Sequence, residues 1–447
     1  MRRLAPLAAL TGLLLAPPAY AAPGPGSEAQ RLHDKGVHCM DVIERNECAI
    51  ENFEALLEVE TYERELVTDA MMRLIDLYRD EGREDDIGGL LRQFWDVGMK
   101  RKSTGHMPYS ARFFPTELNV LITLDVEQLA GSRVVTSLEP DAQDTLLTCD
   151  ERRRKELEVK RELRRATEKA AEDGRNVWDV VQTEREKKAR YEAKRAERTA
   201  SADTGPVFFE ALCPVARSIG LDDLRGFSKM TGALNHHDAR KSIGVGIVPE
   251  LQPKLATAET EGRVLRVADN HWILPDFDYA GGPVHLLMLD LDELTIAPGP
   301  MVQGMVDARA KRKSRMNREL SKLADLVPKD SGFFMVMTQA ALREMGFGDV
   351  KRSTRSVLES LLPRPKGLQI AAIFGDHLGL FTRVPTDTPV KGRLLVSVAN
   401  AIVARAGDDD ETQEWLSGLD IAESSDRKAL LATYLISAKK LEKMMLE

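Results

Sequence analysis

The 447-residue sequence has no phosphate-cradling glycine loop, no G-x-S-x-G elbow and no H-E-x-x-H helix, so the local signatures that most directly announce an enzyme are missing. Positive charge is not in excess. Lys and Arg number 63 against 71 Asp and Glu, a formal net charge of −8, which argues against nucleic acid as a partner. Beyond the N-terminus no apolar run approaches the ~20 residues a membrane span requires. The longest, residues 394–404 (LLVSVANAIVA), has the length of a core helix. Cysteine is scarce, with four in the chain, while the 43% of hydrophobic residues suffices to give two or three ordinary domains a core.

What is present begins with a leader. MRRLAPLAALTGLLLAPPAYA places Arg2 and Arg3 ahead of an apolar stretch and ends on Ala19-Tyr20-Ala21, small residues at the positions a signal peptidase reads. Residues 1–21 therefore read as a secretory signal peptide. Pro6 interrupts the apolar stretch, which argues against a retained anchor, and no Cys follows the cleavage point to carry a lipid. The expected product is a soluble protein with no transmembrane segment, exported to the periplasm or beyond the bacterial envelope. Loss of Arg2 and Arg3 takes its net charge from −8 to about −10. In an oxidising compartment Cys39, Cys48, Cys149 and Cys213 are disulfide candidates, with three possible pairings.

Residues 29–98 have helical periodicity and an internal likeness at a spacing of 38: Met40, Ala49 and Phe53 are followed by Tyr78, Ile87 and Leu91. The segment resembles the tetratricopeptide repeat, a helix-turn-helix unit in which a large residue on the first helix meets a small and then a bulky residue on the second. Ala49-x3-Phe53 matches the A-x3-F element, and Gly82 stands where a turn between helices would fall. The period exceeds the ~34 residues of the family, Ile87 replaces the small residue, and the closing proline is missing. The resemblance implies a tetratricopeptide-like helical domain over 29–115 that holds a protein or cell-envelope component in a groove near Tyr78, Leu91, Phe94 and Trp95. If that hairpin forms, Cys39 and Cys48 flank a helix contact, and a bridge between them is feasible. A zinc site from His33, His38, Cys39 and Cys48 competes, although the closely spaced ligand pairs of zinc sites are missing. A pair of buried reduced thiols is the third reading.

Residues 116–200 read as a helical connector, with a strand or helix at 120–129 and long charged helices after Pro140. Within it, 151–200 carries 17 Lys or Arg against 12 Asp or Glu, which reads as a solvated helix face. Folding back at Gly174 would bring Cys149 to Cys213. From 205 to 447 the periodicity shortens. VHLLMLDLDELTIAPGP and LQIAAIFGDHLGLFTRV read as hairpins followed by helices, at 301–326 and within 389–406. A degenerate earlier copy is expected at 243–277, giving an α+β fold of repeated β-β-α units with the helices on one face. In pattern this resembles repeated α+β domains of secreted bacterial proteins of unknown role.

His236 and His237 close a segment, 221–237, that reads as a helix, and Asp238 follows it. His237-Asp238 resembles the pair that names the HD phosphohydrolases, but neighbouring helical residues point about 100° apart and no partner His is near. A His at a helix C-terminus is the plainer reading. Ser425-x-x-Lys428 and Ser437-x-x-Lys440 have the spacing of a penicillin-binding serine without its companion motifs. Asp290 and Asp292 fit hairpin-turn residues, and residues 408–411 (DDDE) fit an acidic surface turn. No cofactor or metal is implied. Two functions follow: a non-enzymatic exported binding protein, and alternatively a metal-dependent envelope hydrolase using His236, His237 and Asp238.

Overall fold

The computed structural model describes residues 27–59, 63–100, 107–138, 140–150, 206–279, 282–328, 331–344, 365–375, 377–406, 419–424, 426–438 and 440–441, with isolated positions at 153, 159, 160, 167, 170 and 174. The signal peptide, most of the 151–200 connector and the acidic stretch at 408–411 lie outside the described residues. The chain divides into two compact units, Met1–Arg83 and Glu84–Glu447.

In the first unit, α1 (Glu28–Asp41), α2 (Asn46–Glu58) and α3 (Arg64–Asp80) follow one another. The Ser27 hydroxyl starts α1 by accepting the Gln30 amide at 3.0 Å, supplying one of the partners a helix N-terminus otherwise lacks. α1 touches both α2 and α3, and α2 also touches α3. α1 and α2 approach closely at Gly36, where a Cβ would stand 2.5 Å from the Phe53 ring. Absence of a side chain on the first helix thus seats the bulky residue of the second. Ala49 and Phe53 are fully buried. Gly82, at φ +68°, follows the end of α3 in the left-handed conformation that glycine adopts freely.

The second unit opens with α4 (Glu84–Lys100) and a short 3-10 turn at Tyr109–Phe113. β1 (Val120–Asp125) passes directly into α5 (Val126–Gly131), because Asp125 ends the strand and accepts the Gln128 amide as helix cap at 2.9 Å. Then come α6 (Arg133–Thr136), α7 (Pro140–Leu147), α8 (Val207–Ser218), β2 (Lys229–Asn235), β3 (Asp238–Ile247) and α9 (Leu251–Thr260). β4 (Leu265–Ala268), β5 (His271–Tyr279), β6 (Gly282–Asp290) and β7 (Glu293–Pro298) lead to α10 (Gly299–Ala310) and α11 (Arg318–Ala324). The remainder is β8 (Phe333–Thr338), α12 (Gln339–Glu344), β9 (Gly367–Phe374), β10 (His377–Pro385), α13 (Pro389–Ala406), β11 (Leu419–Glu423) and β12 (Ala429–Ser437).

The fold is α+β as expected: helices lead, and the twelve strands form one antiparallel sheet in the order β11-β12-β10-β9-β8-β1-β2-β3-β7-β6-β5-β4. The same order of connections occurs twice. In β1-β2-β3-β7-β6 and again in β8-β9-β10-β12-β11, a single strand pairs with a hairpin whose outer strand meets the last strand of a second hairpin. β1 and β8 pair at the centre, and β4 with β5 extends one end.

Three expectations are corrected. Residues 229–235, expected within a helix, form β2. Its Gly232 and the facing Gly244 of β3 lie under the Phe208 ring, where a Cβ at Gly232 would stand 2.6 Å from that ring; this close approach is a tertiary demand that helical periodicity hides. The single helix expected at 301–326 breaks at KRKSRMN, where Arg312 takes φ +49°, the Arg315 amide donates to the Arg112 carbonyl and Asn317 caps α11. Helices also cover both faces of the sheet. Register places Gly244 and Gly379 on opposite faces, and α8 lies on the first while α4 lies on the second. Strands such as FFMVMT carry apolar residues on both sides and need both covered.

Candidate functional site

All four cysteines are paired. Cys39–Cys48 joins the end of α1 to the start of α2 with Cα atoms 5.7 Å apart. Cys149–Cys213 ties the segment after α7 to α8 with Cα atoms 5.0 Å apart, inside a core that includes Leu147, Val207 and Leu212. The loop it closes contains Gly174, at φ +63°; the rest of the proposed fold-back lies outside the described residues.

Of the four residues expected to line a groove, Tyr78, Leu91 and Trp95 are placed differently from that expectation. Tyr78 is 5% exposed and donates its hydroxyl to Glu54 Oε1 at 2.6 Å, with Arg83 stacked 4.2 Å over its ring. Leu91 is 1% exposed and packs at Gly379. Trp95 is fully buried, its ring centroid 6.0 Å from that of Phe381. These three are core side chains and offer no surface to a partner, because α4 turns its apolar stripe onto β10 and β12. The side chain of Phe94 lies outside the described residues. What unit one does expose is the charged side of α1: Arg31, Asp34, Lys35 and His38 border a shallow depression with Gln30.

His236 and His237 form the turn between β2 and β3, and Asp238 begins β3. The side-chain amide of Asn119 reaches His236 twice, with Nδ2 2.7 Å from the ring Nδ1 and Oδ1 accepting the backbone amide at 3.0 Å. The His237 amide donates to Asn235 Oδ1 at 2.9 Å. Hydrogen bonds to Asn119 and Asn235 are what shape this turn. Asp292, at φ +59°, is likewise a turn residue, between β6 and β7, and its carboxylate accepts the first amide of α9 at 3.3 Å. Ser437 accepts the Lys440 amide at 3.3 Å. Among the described residues no group of three or more His, Cys, Asp or Glu could hold a metal ion.

Two polar clusters escaped the sequence reading. In α1 and α3, His33 Nε2 lies 2.7 Å from Asp69 Oδ2, which also accepts Arg73 Nε at 2.7 Å. Burial pushes the Asp69 carboxyl up, but these hydrogen bonds and the Arg73 charge outweigh it and hold the group below the ordinary carboxylate range. In the sheet, His271 and His285 are hydrogen-bonded to each other. Their 14-residue separation carries no local motif, since strand register alone brings them together. The buried Glu293 is structural: its two carboxylate oxygens accept the amides of Tyr109 and Ser110 at 2.6 and 2.7 Å and pin the 3-10 turn to β7.

The described residues therefore define an α+β protein with one twelve-stranded antiparallel sheet and two cystine bridges, and among them no helix is long and apolar enough to cross a membrane. No protein-family model, no curated protein and no solved structure matches the chain.

Proposed function

We propose that the chain is an exported, non-enzymatic protein that binds a protein or a cell-envelope component through its N-terminal, tetratricopeptide-like helices. The observation that carries this reading is the first unit itself: three successive helices, each touching the others, braced by a cystine, with the charged side of α1 facing solvent. Helical-repeat arrays use such surfaces to hold partner segments. Two cystines support an oxidising destination, because thiols stay reduced in the cytosol. With Tyr78, Leu91 and Trp95 in the core, the binding surface is assigned to Arg31, Asp34, Lys35 and His38. The metal-dependent hydrolase reading draws no support from the turn geometry of His236, His237 and Asp238.

The test is affinity capture from native envelope by the full chain and by an Arg31→Glu, Lys35→Glu double variant. A discrete partner retained by the parent and lost by the variant, with unchanged melting, supports the assignment. Equal capture by both removes it. Fractionation of the producing cell tests export separately, and a chain that remains cytosolic with reduced thiols refutes that part.

A further inference from the structure

β5 and β6 pair so that Leu287 stands opposite His271 and Ile273 opposite His285, which makes the two histidines diagonal neighbours on one face of the sheet. His271 Nε2 lies 2.8 Å from His285 Nδ1, the ring planes 36° apart. Both rings are part-buried. Burial pulls the pKa of each below the usual histidine value, and that of His285 also falls because a charge on His271 would oppose its own. Neutral imidazole is the form that binds a metal. Imidazole nitrogen bonds such ions at ~2.0–2.1 Å, so two nitrogens in adjacent positions of a square-planar or octahedral ion stand about 2.9 Å apart. That is the spacing the hydrogen-bonded pair already has. β4, the edge strand beside β5, is exposed at all four residues, so His271 lies one strand in from the open edge of the sheet and His285 two.

We propose that His271 and His285 form a two-histidine chelate for a divalent late first-row transition metal, with copper(II) bound most tightly and water completing the coordination. On binding, the imidazole that donates the hydrogen bond moves its proton to its other ring nitrogen. The ion takes the two facing lone pairs, with no oxidation and no net loss of a proton. The sheet fixes both Cα positions in advance, so rotation of the rings suffices.

The full chain, purified without a histidine tag, is titrated with copper(II) by equilibrium dialysis and electron paramagnetic resonance. His271→Gln, His285→Gln and a His236→Gln, His237→Gln double variant run alongside. The expected result is one ion per chain with a two-nitrogen hyperfine pattern. Either pair variant should weaken binding by roughly tenfold or more, since the second imidazole acts at high effective concentration, and the turn variant should leave it unchanged. Copper should raise the thermal transition of the parent and of the turn variant only. Nitrogen-15 spectra of the parent give an answer independent of how the variants fold: paramagnetic broadening should strike the His271 and His285 rings first. Broadening confined to other histidines, or parental affinity in both pair variants, overturns the proposal.

Discussion

Removing the Cys149–Cys213 bridge should cost more than removing Cys39–Cys48, and most of the difference follows from loop length. A cross-link restricts the unfolded chain, and the entropy it removes grows with the logarithm of the closed loop. For the sequence separation of 64 this gives about 4.3 kcal/mol, and for the separation of 9 about 2.6 kcal/mol. Burial adds to both: Cys149 and Cys213 are 1% and 7% exposed and Cys39 is 5% exposed, so replacement by alanine leaves voids costing roughly 1 kcal/mol at the first bridge and about half that at the second. The expected costs are thus about 5 kcal/mol against about 3 kcal/mol. Each bridge lies within one unit, and all four tryptophans, at 95, 178, 272 and 415, lie in the second. Guanidinium unfolding followed by tryptophan fluorescence therefore reports the loss of Cys149–Cys213, while far-ultraviolet circular dichroism also follows the helices around Cys39–Cys48. Equal losses, or a larger loss for the short loop, would refute the chain-entropy reasoning.

Other substitutions test the same structure. Glu293→Ala takes the carboxylate from the buried Ser110 amide and the part-buried Tyr109 amide and should cost about 2 kcal/mol or more in denaturant unfolding, with Glu293→Gln roughly half as severe; a loss under ~1 kcal/mol in the alanine variant would show the turn is held by other contacts. Gly232→Val drives side-chain atoms into the Phe208 ring, and a melting experiment should show ~1–3 kcal/mol of overpacking strain. No change there would mean that α8 can lift off β2 freely. Asp69 has a folded pKa below its ordinary 3.8, so its contribution is present above pH 3.8 and is lost as pH falls through the folded value. Acid unfolding of Asp69→Asn should consequently begin to converge on that of the parent below about pH 4 and merge with it only once pH has passed the folded value, and a gap that persists undiminished into stronger acid would contradict the sign.

The α+β class was legible because turn chemistry and alternation agree. LQIAAIFGDHLGLFTRV became β9 and β10, with Leu378 opposite Phe374, and the helix within 389–406 followed as α13. Where the reading failed, long-range packing had overruled local pattern. LDDLRGFSKMTGALN has residues that suit a helix, yet Gly232 and Gly244 are needed bare beneath Phe208. Leu91 and Trp95 show as the apolar stripe of α4, but a stripe does not name its partner. Here the partner is β10 and β12, hundreds of residues along the chain, so side chains read as a groove are core. The His271–His285 pair was invisible for a related reason, since a cross-strand diagonal is defined by register and not by sequence spacing.

Register also explains why the duplicated arrangement exists as one sheet. Taken alone, each five-strand set would end on its single strand, β1 or β8, leaving a row of unpaired amides and carbonyls flanked by large apolar residues. Pairing runs from Val120 opposite Met337 to Leu124 opposite Phe333, so each strand covers the other's edge. The outer edges are then β4, of four residues with Arg266 among them, and β11, of five residues with Asp420 and Glu423. Short, charge-bearing strands are poor templates for another chain. The central pair is thus the place where the two sets depend on each other: opening it would expose two long apolar edges at once, whereas loss of β4 or β11 would expose one new edge at the periphery. The sheet should for this reason unfold from its ends inward, with β1 and β8 the last strands to exchange their amide hydrogens.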